Sequence, residues 1–175
     1  MNWTEMLISS IEDTYAVTDK LLEMVEDDEL DWKPATGENW MTTGQLLFHI
    51  TGACGACCKG FVTGDWGMPE GVNCEDMAPE DMLPPAEKLP TVESVAQARE
   101  MLAADKAVAL AMVAQAGETD LDSKQLSAPW APTMEFALGQ HLIQMVQHLV
   151  QHKGQLYYYL KLMGRPVNTM HLYGM

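Results

Sequence analysis

Basic residues are scarce in this chain. Only ten of its 175 residues are Lys or Arg, against 25 Asp and Glu, for a net charge of −15. Arg99 and Arg165 are the only arginines. A protein that holds DNA or RNA replaces phosphate counterions with cations, so nucleic-acid binding is excluded as an expectation. An anionic membrane surface is disfavoured for the same reason. No apolar run reads as long enough to span a bilayer. The N-terminus, Met1-Asn2-Trp3-Thr4-Glu5, leads directly into an acidic amphipathic segment instead of a signal peptide. A cytoplasmic location is therefore expected.

Cysteine is sparse and badly spaced for disulfides. Cys54, Cys57 and Cys58 crowd into five residues and Cys74 stands apart. No second pair completes a zinc tetrad, so packing is preferred to a redox or second-metal role. There is no internal repeat, no low-complexity segment and no convincing strand pattern.

What is present is helical periodicity, in a length that fits one domain over residues 1–175. Met6, Leu7, Ile11, Tyr15, Leu21 and Leu22 predict a first helix over about 3–25. Thr42 with Gln45 is a capping-box pattern opening a second helix, about 43–63, that ends at Gly64. Prolines 69, 79, 84, 85 and 90 prevent a long helix in the next stretch. Thr91 is the expected cap of a third helix, about 91–115, stopping at Gly117. Thr133 is the expected cap of a fourth, about 133–163, ending at Gly164. The reading is an all-α four-helix bundle. The link between helices two and three is long enough to return along the bundle, which suggests up-down-down-up topology.

Histidine carries the chemistry. His148 and His152 lie four apart, about 6 Å along a helix axis and on the same face. His49 sits in the apolar context Leu46-Leu47-Phe48-His49-Ile50, where an unpartnered imidazole is costly. Three neutral nitrogens from His49, His148 and His152 would hold a divalent metal ion and leave coordination positions open for chemistry. His141 continues the stripe of Met145, His148 and His152, but it is about 10 Å from His148 along the axis and cannot share the ion. Leu142, Val146, Leu149 and Val150 form the apolar stripe of that helix.

Gln155 follows His152 by one turn. It either orients a ligand or substrate or serves as a packing amide, and Gln45 has a weaker case of the same kind. Glu38, Asp65 and Glu135 flank helix ends as the available acids or bases. Gly52, Ala53, Ala56 and Gly60 make a small-residue face, read as close helix approach before substrate space. Trp32 and Trp40 either cap the bundle or line a pocket mouth.

Two segments resemble the DinB/YfiT-like family. Trp40-Met-Thr-Thr-Gly-Gln-Leu-Leu-Phe-His49 is similar to its second-helix signature, and His148-Leu-Val-Gln-His152-Lys-Gly-Gln155 to its His-x-x-x-His-Arg/Lys-Gly-Gln signature. Leu160-Lys-Leu-Met-Gly164 resembles the family's fourth-helix end. The resemblance implies a bundle of up-down-down-up topology and a metal, zinc or nickel, on His49, His148 and His152. It further implies a metal-dependent thiol S-transferase using a low-molecular-weight thiol, or a hydrolase, acting on a small molecule. The shortage of arginine leaves few cations for a carboxylate-rich thiol. The helix lacks His-Glu-x-x-His, which excludes the zincin protease mechanism. The other readings are a non-enzymatic metal- or ligand-binding stress protein and an interaction scaffold. A homodimer is compatible with all of them.

Overall fold

A computed structural model describes residues 2–68, 77 and 85–175. Helix α1 spans Trp3–Leu22, with the Asn2 side chain accepting from the Glu5 N–H at its start. Its buried face is Leu7, Ile11, Tyr15, Leu21 and Leu22, close to the expected stripe. The helix ends three residues before the predicted Val25, and a single 3-10 turn, Asp27–Glu29, follows.

The expected second helix is two helices. Helix α2 spans Thr43–Ile50 and α3 spans Gly55–Thr63, separated by a turn at 51–54. The Thr42–Gln45 capping box forms as predicted, with both reciprocal hydrogen bonds present. Gly64 closes α3 in the left-handed conformation. The break is made at a close tertiary approach. A Cβ on Gly55 would lie 2.0 Å from the Asp105 carbonyl oxygen, so only glycine lets this backbone approach the neighbouring helix. By length and composition alone, Thr43–Thr63 is apolar enough to cross a membrane, which corrects the expectation that no such run exists. In the fold the segment is interrupted and packs against two other helices.

Helix α4 runs Val95–Ser123, capped by Ser94 rather than Thr91. The expected stop at Gly117 is present as a kink: that residue takes a non-helical, positive φ of 69°, and a second helical segment follows it to Ser123. The absence of strands is also corrected. Strands β1 (Gln125–Ala128) and β2 (Ala131–Ala137) form an antiparallel hairpin around Pro129-Trp130, pairing Leu126 with Phe136 and Ser127 with Glu135. Thr133, expected to cap the last helix, therefore lies in a strand. Helix α5 begins at Leu138 and runs to Leu162. A short α6, Thr169–Tyr173, ends the chain.

Helix α1 packs against α4 and α5, α2 against α5, and α3 against both α4 and α5. The buried face of α5 is Leu142, Met145, Val146, Leu149, Leu156 and Leu160. Val150, assigned to that face from sequence, is exposed. Much of the crossover between α3 and α4, Cys74 included, lies outside the described residues.

Candidate metal centre

The sequence positions the site through two helix phases. The Thr42 cap fixes where α2 starts, and burial of Leu46, Leu47 and Ile50 then turns His49 toward α5. On α5 the buried leucine and methionine face leaves His148 and His152 one turn apart on its flank, facing α2.

The three rings meet. Their Nε2 atoms are 3.3 Å apart for His49 and His148, 3.0 Å for His49 and His152, and 2.9 Å for His148 and His152. Nitrogens bound to a tetrahedral ion at about 2.0–2.1 Å are separated by about 3.3 Å. The cluster is thus within a few tenths of an ångström of a three-imidazole coordination set.

Outer contacts decide the tautomers. The Nδ1 of His148 lies 3.1 Å from the Ala53 carbonyl oxygen. A carbonyl only accepts, so Nδ1 carries the proton and Nε2 presents a lone pair. The Nδ1 of His152 lies 3.0 Å from the Gln155 amide oxygen, with the same result. Gln155 therefore orients a ligand of the cluster instead of packing between helices. Burial pushes the pKa of all three imidazoles down. His49 falls to about 4, by burial first and then by the neighbouring His152 and His148. At neutral pH the rings are uncharged. Two lone pairs 2.9 Å apart cannot hydrogen-bond each other, and a cation between them removes the repulsion. The donor set fits a divalent ion.

The other sequence candidates lie elsewhere. His141 is buried against the Leu126 carbonyl at 2.7 Å and stacks on Phe61, tying the hairpin to α5. Gln45 is a structural amide, since it caps α2 and donates to the Glu87 and Leu89 carbonyls. Glu38 and Glu135 are exposed and Asp65 pairs with Lys59. None of the three hydrogen-bonds a histidine of the cluster. Trp32 and Trp40 pack edge-on to Tyr159, whose hydroxyl donates to the Met41 carbonyl. Gly60 admits the Trp66 ring rather than a helix. Cys54 and Cys58 are buried. Burial raises the Cys57 thiol to about 12, with Asp105 and Cys54 adding to it, so it stays protonated and poorly nucleophilic.

Sequence reasoning missed two contributors. The Ala53 carbonyl is backbone and leaves no residue signature. Asp105 does leave one. It sits in the buried stripe Ala98, Leu102, Ala109 and Val113 of α4, where a carboxylate needs partners. It accepts from the Tyr15 hydroxyl at 2.6 Å and from the N–H groups of Gly55 and Ala56 at 2.9 and 2.8 Å. Two cavities of about 530 and 860 Å³ lie away from the histidines, one beside Tyr15 and Arg99 and the other beside Phe61 and Trp66.

Fold and site together define a mostly helical protein with a three-histidine cluster suited to a metal ion. The chain belongs to the DinB superfamily, whose family model matches residues 10–156. It is similar in structure to a DinB-like protein, YjoA, from Bacillus subtilis, with a TM-score of 0.67 at 19% identity, over 97% of this chain and 99% of that one. At that identity the likeness speaks for the fold. No curated protein matches the chain significantly.

Proposed function

We propose that the protein is a metal-dependent enzyme acting on a small molecule, with His49, His148 and His152 as ligands of one divalent ion, zinc or nickel. The observation that supports this most is the facing of two deprotonated Nε2 atoms, each set by an Nδ1–H donated to a carbonyl oxygen. When bound by three neutral imidazoles, a divalent ion supplies an undiminished charge that acidifies a coordinated water or thiol. Hydrolysis and thiol S-transfer are the two reaction classes such a site serves. The chain's own part is to keep the three rings neutral and oriented. The Ala53 carbonyl and Gln155 do so for two of them. All three rings are only partly buried, which leaves access from solvent.

The acidic surface supports a small-molecule partner over a polyanion, and with it a cytoplasmic setting. The up-down-down-up bundle and the homodimer belong to the same reading. A non-catalytic metal-binding protein is the second reading. The observation in its favour is that neither cavity is lined by the histidines.

Elemental analysis of the purified protein, before and after loading with zinc or nickel, tests the first step. One ion per chain is expected, and none in His148→Ala. Turnover of activated esters, or of electrophiles with small thiols, that stops on chelation supports the enzyme. Binding without turnover of any of these favours the second reading. A wild-type protein that takes up no ion defeats both.

A further inference from the structure

Helix α3 begins where a longer helix would have continued. In an unbroken helix, each N–H of residues 55 and 56 would bond to the carbonyl four residues back, and the Ala53 carbonyl would accept along the axis from residue 57. Instead the Gly55 and Ala56 N–H groups point at the two oxygens of Asp105. A carboxylate at a helix N-terminus satisfies orphan donors and matches the dipole. The Tyr15 hydroxyl, reaching from α1, holds the same carboxylate. On the other side of this turn, the Ala53 carbonyl accepts from His148 Nδ1. Ala53 and Asp105 are both almost fully buried, so solvent does not substitute for either partner.

We infer that Asp105 is a positioning residue for the metal centre: by fixing the broken turn at residues 53–56, it aims the Ala53 carbonyl at His148 and thereby sets the tautomer and orientation of that ligand. The connection runs from α1 through Tyr15 and Asp105 on α4 to the turn, and from the turn to α5. It joins three helices to one imidazole. This inference rests on the metal-site reading for its purpose, but its structural content concerns His148 in the metal-free protein as well. It also accounts for glycine at position 55, where a Cβ would collide with Asp105.

The test uses the full chain. Asp105→Asn keeps the side chain's shape but leaves one acceptor oxygen where three donors converge. Long-range proton–nitrogen correlation of the imidazoles, without metal, is expected to show His148 mainly as the Nδ1–H form in the wild type and as a mixture in the variant. Zinc affinity should fall about 10-fold, the scale of losing a ligand's outer hydrogen bond. Arg99→Gln breaks a different α1–α4 contact, the pair with Asp19, and should leave both readouts unchanged. If Asp105→Asn does not fold, Tyr15→Phe carries the same test, with a smaller loss of zinc affinity and the same direction of tautomer shift. A folded Asp105→Asn protein with His148 still in the Nδ1–H form and wild-type zinc affinity overturns the inference. A wild type that binds neither zinc nor nickel defeats the metal reading instead, and the tautomer comparison then decides the inference by itself.

Discussion

Two carboxylates on α4 each cap the start of another helix, and they do so in opposite surroundings. Glu118 accepts from the Trp3 and Thr4 N–H groups and from the Thr4 hydroxyl at the N-terminus of α1. Asp105 does the same for α3 from the interior. Hydrogen bonds from Thr4 and Trp3 hold the Glu118 carboxyl below its ordinary range. Burial pushes Asp105 above its ordinary range, against the pull of Tyr15, Gly55 and Ala56. The same capping chemistry is a solvent-reachable staple in one place and a buried fixture at the turn between α2 and α3 in the other. A buried carboxylate is costly to keep and more costly to cut out, because its donors are then stranded.

The sharpest way to separate the two regions is to remove metal ligands and caps in parallel. His49→Ala should weaken zinc binding by at least ~100-fold, beyond the range for outer-shell changes, whereas Glu118→Ala should leave it unchanged in a calorimetric titration. His141→Ala should leave the metal alone and lower thermal stability, since it frees the Leu126 carbonyl and a ring-sized space against Phe61. Next in size, Asp105→Ala should cost about 3 kcal/mol in denaturant unfolding by stranding two N–H groups and a hydroxyl. Glu118→Ala should cost clearly less, because water reaches its donors. Equal losses would mean that burial makes no difference between the caps.

The smallest effect is in the pH profile, and here the two carboxylates pull in opposite directions. Glu118 has a lowered folded pKa. Its stabilisation is present above the ordinary value of 4.5 and is lost as pH falls through the folded value. Asp105 has a raised one. Its contribution is complete below the ordinary 3.8 and is lost as pH rises through the folded value. Glu118→Gln should therefore flatten the loss of stability on acidification. Asp105→Asn should remove a loss that accompanies rising pH. Unfolding midpoints measured from acid to neutral pH distinguish these slopes, and slopes of the same sign in both variants would refute the contrast.

The legibility of the molecule followed the kind of signal each part carries. The Thr42–Gln45 cap, the α1 stripe and the His148–His152 spacing are local and periodic, and they were readable directly. The meeting of His49 with that pair was readable because two separated motifs shared a resemblance. The hairpin was not. Its residues, Gln125–Ala137, contain prolines 129 and 132 and show no clean alternation, and its pairing is anchored by a tertiary contact to His141. The break at 51–54 was hidden because Gly52 and Gly55 sit in an otherwise helical apolar run, and what stabilises the break is Asp105, fifty residues away. Lys153 is largely buried and donates to the Leu172 carbonyl, holding the short final helix, a contact that no local pattern marks. Long-range polar partners leave no periodicity to read.

Whether three imidazoles share one cation is read by X-ray absorption spectroscopy of the zinc-loaded protein. Three imidazole nitrogens at about 2.0–2.1 Å are expected, with light-atom ligands filling the remaining positions. A sulfur shell at about 2.3 Å, or a spectrum unchanged in His152→Ala, would contradict it.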